Sequence, residues 1–360
     1  MHRIGVLGGT GEIGSRILNL LKGEYSLMAS YHSQARPSAA GCEYVKLDIA
    51  DTEQLQHFCR QCDVLINCAG ASFLNGEKVA RMAADWQVPY IDPSGEAFLE
   101  ERLRDRKDEA VFVLSAGYFP GMSGLLMRHV CQSFDTPETI SGLSVSEEIP
   151  SMSAIEDFIL TNLSGFGTAL SYYEQGAVVR DEGERMERIR GREFRFQNYL
   201  TVETARVAQR YGLQEAHWYH SSFGDRVIRK LQEAVIQYKL GRAGYKSIVR
   251  EVIEIFRQTM AGREPFSYTR IEGQGLLGKE RALMRAEVSS PYSSEISAII
   301  AAYAAKAVLA KPLPPGIYYA MDIINMEEIL KDLAELKAEI RISKVVLEQE
   351  VDDEYEEGEL

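Results

Sequence analysis

Residues 1–14 read MHRIGVLGGTGEIG, with Gly8, Gly11 and Gly14 at G-x-x-G-x-x-G spacing. The apolar run Ile4–Leu7 comes before the glycines, and Ile13, Ile17, Leu20 and Leu21 follow at helical spacing. Strand, glycine turn and helix together are the context in which such a motif binds a nucleotide. Gly8 permits the tight turn, Gly11 lets the backbone approach a pyrophosphate, and Gly14 permits close packing of helix on strand. The phosphate charge suits a helix N-terminus. The expected pyrophosphate contacts are Gly8, Thr10, Gly11, Glu12 and Ile13.

Outward from this motif, residues 1–120 alternate short apolar strands with helical stretches. Strands are predicted at Arg3–Leu7, Ser26–Tyr31, Glu43–Leu47, Asp63–Cys68, Val88–Asp92 and Ala110–Leu114, with helices near Asn75–Trp86 and Ala97–Lys107. This is the pattern of an α/β fold built on a doubly wound parallel sheet. Polar loops gather at the strands' carboxyl ends, at Gly8–Gly14, Tyr31–Arg36, Asp48-Ile49, Cys68–Phe73, Asp92–Glu96 and Ala116–Ser123. Ligands of open parallel sheets bind at that edge.

After about residue 125 the pattern changes to a mixed α+β domain. Helices are expected at Gly124–Ser133, Ser153–Tyr173, Thr201–Tyr211, Gly224–Leu240, Lys246–Met260, Ser293–Leu309 and Met326–Ala338. Strands are expected at Thr139–Glu147, Gly176–Val179, Glu193–Gln197, Glu215–Ser222 and Pro265–Gln274, and Lys311–Ile323 holds three prolines and a glycine. The implied divisions are 1–123, 124–290, 291–345 and an acidic tail, 346–360, expected to be disordered. The tail carries part of the net charge of −13, and nothing suggests a nucleic-acid surface. No long apolar run predicts a membrane span, and no basic-then-apolar leader precedes the first strand. Five irregularly spaced cysteines fit a reduced, cytoplasmic protein.

The end of the second strand, Ala29–Arg36, lacks the acidic residue that binds an NAD ribose. Its hydroxyls, histidine and arginine suit a 2′-phosphate instead, so NADP(H) is the expected cofactor, with NADPH preferred over NADH. Ser30, Tyr31, His32 and Arg36 are the candidate phosphoribose contacts, although His32 and Arg36 also read as exposed loop residues. Asp48 and Ile49 are placed by the adenine, and Asp48 reads equally as a helix cap. Backbone groups of Cys68, Ala69 and Gly70 are expected at the nicotinamide-side ribose.

The chain has no Tyr-x-x-x-Lys pair, so a short-chain alcohol dehydrogenase is disfavoured. Six segments in order are similar to the saccharopine dehydrogenase/reductase-like family: Gly8–Gly14, Asp63–Gly70 (DVLINCAG), Val88–Glu96 (VPYIDPSGE), Ala116–Leu125 (AGYFPGMSGL), Gly165–Ser171 (GFGTALS) and Pro312–Met321 (PLPPGIYYAM). The resemblance implies a Rossmann-like NADP-binding domain, an α+β substrate and dimerisation domain, and C-terminal helices returning to the first domain. It also implies a homodimer and NAD(P)-linked oxidoreductase chemistry at a carbon–nitrogen bond of an amino-acid-derived substrate. Tyr31 replaces the family's usual arginine and Pro93-Ser94 is unusual after Asp92, so saccharopine itself is not implied.

Hydride transfer needs a bound imine or carbonyl, a proton source and exclusion of water. Asp92, Ser94, Glu96 and Tyr118 lie in the two loops expected to flank the nicotinamide. Asp92 or Glu96 would carry the proton; Asp92 otherwise caps a helix, Glu96 otherwise matches a helix dipole, and Tyr118 otherwise shapes a turn. Gly165, Gly167 and Thr168 would present N–H groups to a substrate carboxylate, or simply break two helices. Six arginines between Arg180 and Arg195 alternate with acids, which favours an exposed hairpin over a carboxylate clamp. No metal is expected: Cys59/Cys62 lacks a second pair, and His217 and His220 point to opposite strand faces. The alternatives are a pathway-specific reductase of an activated C=C or C=O bond and a non-catalytic NADP-binding sensor.

Overall fold

The computed structural model describes residues 1–34, 39–161, 167–221, 224–242, 244–335 and 339–346. Arg36, Gly165 and the acidic tail from 347 onward lie outside the described residues. The first part of the chain runs β1 (Arg3–Leu7), α1 (Glu12–Leu21), β2 (Ser26–Tyr31), β3 (Cys42–Lys46), α2 (Thr52–Cys59), β4 (Val64–Asn67) and α3 (Ser72–Asp85). It continues through β5 (Tyr90–Ile91), α4 (Ala97–Leu103), a 3-10 turn at Arg104–Arg106, β6 (Val111–Leu114) and α5 (Met122–Gln132). β1, β4 and β6 are apolar without alternation because helices cover both faces of the sheet. Helix α3 begins three residues earlier than its pattern predicts. Asp157 reaches in from the second domain and accepts the N–H groups of Ser72 (3.1 Å) and Phe73 (2.9 Å) at its first turn.

The second part runs β7 (Thr136–Glu147), α6 (Met152–Thr161), β8 (Gly167–Ala169), β9 (Ser171–Glu174), β10 (Ala177–Arg180), β11 (Glu184–Ile189) and β12 (Arg192–Thr201). Then come α7 (Val202–Tyr211), β13 (Glu215–Ser221), α8 (Asp225–Lys239), α9 (Tyr245–Met260), β14 (Phe266–Leu277) and β15 (Glu280–Ser290). The remainder is α10 (Ser293–Ala310), β16 (Gly316–Tyr319), α11 (Ala320–Ile323), α12 (Met326–Glu335) and β17 (Glu339–Val346).

The first sheet has seven strands in the order β16-β6-β5-β4-β1-β2-β3, all parallel. Its seventh strand lies in the proline-rich stretch Lys311–Ile323, where no strand was expected. Gly316–Tyr319 completes the open edge of β6, and the Gly316 N–H donates to Ala110 O at 2.9 Å. The second sheet follows the path β10-β9-β13-β7-β14-β15-β17, with β12, β11 and β8 joined through β13. Two further expectations are corrected here. The helix expected over Ser153–Tyr173 does not reach its predicted end, because by Gly167 the chain has entered the second sheet as β8 and then β9. β15 and β17 were not foreseen; β17 pairs antiparallel with β15, so residues 291–345 are shared between the two sheets.

Helix α10 packs along α1 and against the first sheet. By length and composition it is apolar enough to cross a membrane, but 61% of its apolar window is buried inside the protein. A helix apolar on nearly every side is what such a core position requires. Helix α5 lies between the sheets, burying Leu125, Leu126 and Val130 in one core that spans both domains.

Candidate active site

The glycine turn brings three chain segments together backbone to backbone. Gly8 has φ +72°, and its N–H donates to Ser30 Oγ at 2.9 Å. The Gly9 N–H donates to Ser30 O and the Gly11 N–H to Gly8 O, each at 2.9 Å. A Cβ on Gly8 would lie 2.5 Å from Cys68 O, and one on Gly14 would lie 2.4 Å from Gly8 O. Gly11 caps α1 without a side-chain bond, so first-turn N–H groups are left for an anion.

Beside the turn is a cavity of about 500 Å³ that gathers Gly8, Ser30, His32, Asp48, Ile49, Ala69 and Gly70 from four separate loops. These residues fit a dinucleotide: a side-chain-free cradle at the turn, then a pocket with apolar and polar walls. Asn75 and Lys78 also line it and were missed, since helix α3 gave no sequence sign that one face meets the cleft. Lys78 Nζ donates to Ala50 O at 2.7 Å on its rim.

Several cofactor expectations are refined. Ser30 is buried and its oxygen holds the Gly8 N–H, so it builds the turn. Tyr31 does not line the cavity, because neighbouring strand residues face opposite ways. The Glu12 carboxylate turns away to accept from Ser294 Oγ at 2.7 Å and Ile13 packs against the core, so these two offer backbone only, while Thr10 stays half-buried in the turn. Asp48 is not the cap of α2; Asp51 is, accepting from the N–H groups of Glu53 and Gln54, while Asp48 accepts from the Ala50 N–H at 2.9 Å. Burial pushes the Cys68 thiol up, and its N–H donates to Leu7 O.

Asp92 is corrected from proton carrier to anchor. Its carboxylate accepts from Ser72 Oγ (2.7 Å), Tyr90 OH (2.5 Å), and the N–H groups of Ser94 (2.9 Å) and Gly95 (2.8 Å). Asn67 in turn donates to Tyr90 OH at 2.9 Å. A buried carboxylate with every acceptor position filled rigidifies the strand ends and has no site left for a transferred proton. Ser94 is part of that turn. Tyr118 is corrected likewise: its hydroxyl meets Thr269 Oγ1 on β14 at 2.8 Å, its N–H donates to Ser297 Oγ, and burial pushes its phenol up. It ties the first domain to the second. Gly167 and Thr168 pair with Thr201 and Leu200 in a strand ladder, not in an open anion-binding loop.

Glu96 differs from these. It is buried, and neither carboxyl oxygen has a hydrogen-bond partner among the described residues. Burial, reinforced by Glu203 and Glu100 and opposed by Arg206, pushes its carboxyl far above the usual range. Arg206 is held by Glu100 at 2.5 Å and lies over the Tyr319 ring at 3.9 Å. Glu203 was missed: Thr201 caps α7 and sends Glu203 across to the first turn of α5, where Ser123 Oγ donates to it. Burial pushes its carboxyl up to about 7. Tyr199 adjoins Glu96, and beyond it His220 stacks with Phe119 at 5.9 Å, which stacks on Trp218 at 5.0 Å. Burial lowers His220 to about 4, so its ring is neutral at physiological pH. His217 lies on the other strand face, against Tyr172. Glu96 follows β5 at the carboxyl edge of the first sheet but is not among the residues that line the 500 Å³ cavity.

Glu203 predicts a pH dependence. A glutamate in an unfolded chain titrates near about 4.3. Raised in the fold to about 7, it favours folding fully at low pH and loses that contribution as pH rises through the window. The contribution is roughly 3 kcal/mol, and Glu96 adds in the same sense. Melting temperature is therefore expected to fall between about pH 4 and pH 7, and Glu203→Gln to flatten the fall. An identical slope in both chains, measured by thermal melts across pH, would show that Glu203 does not hold a proton in the fold.

Residues 4–114 match the saccharopine dehydrogenase NADP binding domain. The Arabidopsis thaliana protein named “Probable mitochondrial saccharopine dehydrogenase-like oxidoreductase” is 28% identical over 104 residues, 27% of this chain and 23% of that protein's length. The structure of apo saccharopine dehydrogenase (L-Glu forming) from Saccharomyces cerevisiae superposes with a TM-score of 0.65 at 11% identity, covering 97% of this chain and all of that one. Residues 4–114 thus match the model of a saccharopine dehydrogenase NADP binding domain, and the chain shares the fold seen in saccharopine dehydrogenase over nearly its whole length.

Proposed function

We propose that this protein is an NADP(H)-dependent oxidoreductase that reduces a C=N bond, or oxidises the corresponding amine, in an amino-acid-derived substrate. The observation that carries the reading is the pairing, at one sheet edge, of a cleft whose lining fits a dinucleotide with a buried, unpartnered carboxyl whose proton affinity burial raises. The Gly8–Gly14 turn would hold the pyrophosphate, and His32 and Lys78 the 2′-phosphate, with Arg36 as a further candidate. NADPH supplies a hydride when bound. Glu96 would deliver the proton to the imine nitrogen as the carbon gains the hydride, so the C=N bond becomes C–H and N–H. Asp92 keeps the loop rigid, and Phe119, Tyr199 and His220 would wall the substrate from water. A buried acid left without a structural partner favours turnover over a pure sensor. The choice of a carbon–nitrogen bond rests on the family resemblance, as does the homodimer, and the free cysteines suit a cytoplasmic setting.

The test is fluorescence titration with NADPH and NADH, followed by turnover with paired 2-oxo acids and amino acids. NADPH is expected to bind more tightly than NADH. A His32→Ala/Lys78→Ala chain is expected to lose roughly tenfold or more in NADPH affinity and little for NADH, since each charged contact is worth about 1.5–3 kcal/mol. Equal binding of both nucleotides by the parent would reject the 2′-phosphate assignment. Tight binding with no consumption by any substrate pair would favour the sensor.

A further inference from the structure

The proposed reaction uses Glu96 and leaves Glu203 without a role, although the fold brings the two together. β5 and β6 are adjacent and parallel, so the segments that follow them reach the same sheet edge. Glu96 follows β5 as the N-cap residue of α4, and Ser123 follows β6 in the first turn of α5. The Ser115 N–H, just past β6, donates to Gly95 O at 2.7 Å and holds the two segments side by side. Ser123 Oγ donates to Glu203, which brings the first turn of α7 to that edge as well. One turn further along, Glu100 of α4 meets Arg206 of α7 at 2.5 Å. Residues three or four apart share a helix face. The faces of α4 and α7 thus meet as Glu100 against Arg206 in one turn and Glu96 against Glu203 in the turn before. After burial itself, Glu203 is the largest influence that raises the Glu96 carboxyl.

The two turns are satisfied differently. Glu100 also accepts from Tyr319 OH at 2.8 Å, and Arg206 covers the Tyr319 ring, so that turn is paired. In the other, Glu96 and Glu203 are each 1% exposed, and both Glu96 oxygens and Glu203 Oε1 have no hydrogen-bond partner among the described residues. Two buried carboxylates that face one another repel, so one of them holds a proton more tightly. A single water between them would meet the unpartnered oxygens. Glu203 is the better placed to bear charge: Ser123 Oγ donates to it, and the backbone N–H groups of Gly121 and Gly124 favour its ionised form. The other groups that act on the pair are Arg206, Glu100, Asp322 and the Tyr199 and Tyr319 phenols. Behind α7 is a cavity of about 780 Å³ with Arg206, Arg210, Met321 and Asp322 in its wall. The Arg206 and Arg210 side chains are 35% and 49% exposed, so water enters it. A Cβ on Gly124 would lie 2.7 Å from Glu203 Oε1 and 2.8 Å from Met321 Sδ, so the carboxyl adjoins a residue of the cavity wall. That residue is a methionine, whose side chain is unbranched and adaptable.

We propose that, with Glu96 as the acid of the reaction proposed above, Glu203 is a positioning residue that returns a proton to Glu96 after each turnover, and that the cavity behind α7 is where this proton enters. Glu96 gives its proton to the imine nitrogen and becomes a carboxylate. Glu203 passes its own proton to Glu96 through a bridging water, and Ser123 steadies the carboxylate left behind. That carboxylate then takes a proton from solvent in the cavity. One proton leaves solvent for each NADPH oxidised, and the hydride is the only reductant the cycle needs.

The test is infrared titration of the full chain, which needs no substrate. Protonated-carboxyl bands would be followed across pH in the parent, Glu96→Gln, Glu203→Gln and Glu203→Asp, with circular dichroism to check folding. Comparison of the parent with Glu96→Gln assigns the Glu96 band. In the parent Glu96 gives up its proton against the Glu203 carboxylate; in Glu203→Gln that charge is gone, so the band is expected to be lost at a pH lower by about one unit or more. Glu203→Asp keeps the carboxyl and should restore most of the parental titration. An unchanged Glu96 titration in Glu203→Gln would overturn the proposal. A set of bands that Glu96→Gln leaves intact would instead overturn Glu96 as the acid, which separates the two failures. With a 2-oxo acid and amine pair that supports turnover, Glu203→Gln should lose roughly tenfold or more in kcat while its KM for NADPH is kept. The loss should shrink as imidazole is added, because a small acid that titrates near neutrality replaces the missing donor. A loss of kcat that imidazole does not restore would overturn the return of the proton by Glu203.

Discussion

Gly14→Ala is expected to weaken NADPH binding by about ten- to hundredfold and to lower the melting temperature by a few degrees. The new Cβ would sit 2.4 Å from Gly8 O, 2.9 Å from Gly9 Cα and 3.0 Å from the Gly8 carbonyl carbon. All three are backbone atoms of the turn itself, so no side chain can rotate aside. Either the turn opens or α1 lifts from β1, and α10, packed along α1, resists the second. Such overpacking costs roughly 1–3 kcal/mol, and the distortion falls on the N–H groups that would hold the pyrophosphate. Gly23→Ala is the matched control. Gly23 has φ +85°, so alanine is strained there too, but nothing lies within 4 Å of where its Cβ would sit and it is outside the turn. That chain should lose stability and keep its NADPH affinity. Parental affinity in Gly14→Ala, read by fluorescence titration, would remove the pyrophosphate from this turn.

Glu96→Gln is expected to reduce turnover by about 10²–10⁴-fold while leaving NADPH affinity unchanged. The amide keeps the shape of the carboxylic acid but cannot give up a proton to substrate. Because burial raises the Glu96 carboxyl, the parental rate should fall as pH rises through its titration. The variant should lack that limb of the profile. Infrared difference spectra offer a readout free of substrate: a protonated-carboxyl band present at neutral pH should disappear in Glu96→Gln. If the variant turned over at the parental rate with an unchanged profile, Glu96 would be a structural acid and another donor would have to be sought.

Much of the first domain was legible because its signals are local. The Ile4–Leu7 run, the three glycines and the amphipathic stretch after them specify strand, turn and helix within about twenty residues, and strand ends marked by Asp92 or Gly70 punctuate the rest. The seventh strand was not legible. Gly316–Tyr319 lies among prolines and becomes a strand only because β6 presents an unpaired edge beside it. In β15 the alternation of Ala282, Met284, Ala286 and Val288 is present, but alanine and methionine say little about strands until β14 and β17 flank them.

The carboxylates show the same division in chemical form. By itself the sequence determined that acids, glycines and hydroxyls would collect at the carboxyl edge of a parallel sheet, because strand order and the polar loops that follow each strand are written in neighbouring residues. Which acid is spent and which is free only the tertiary structure decided. Asp92 meets donors from β5, α3 and its own turn, while Glu96, four residues on, meets none among the described residues and feels the charge of Glu203, more than a hundred positions later in the chain. A carboxyl group's proton affinity is set by the water, donors and charges around it, and those neighbours are assembled from distant segments that no local pattern records.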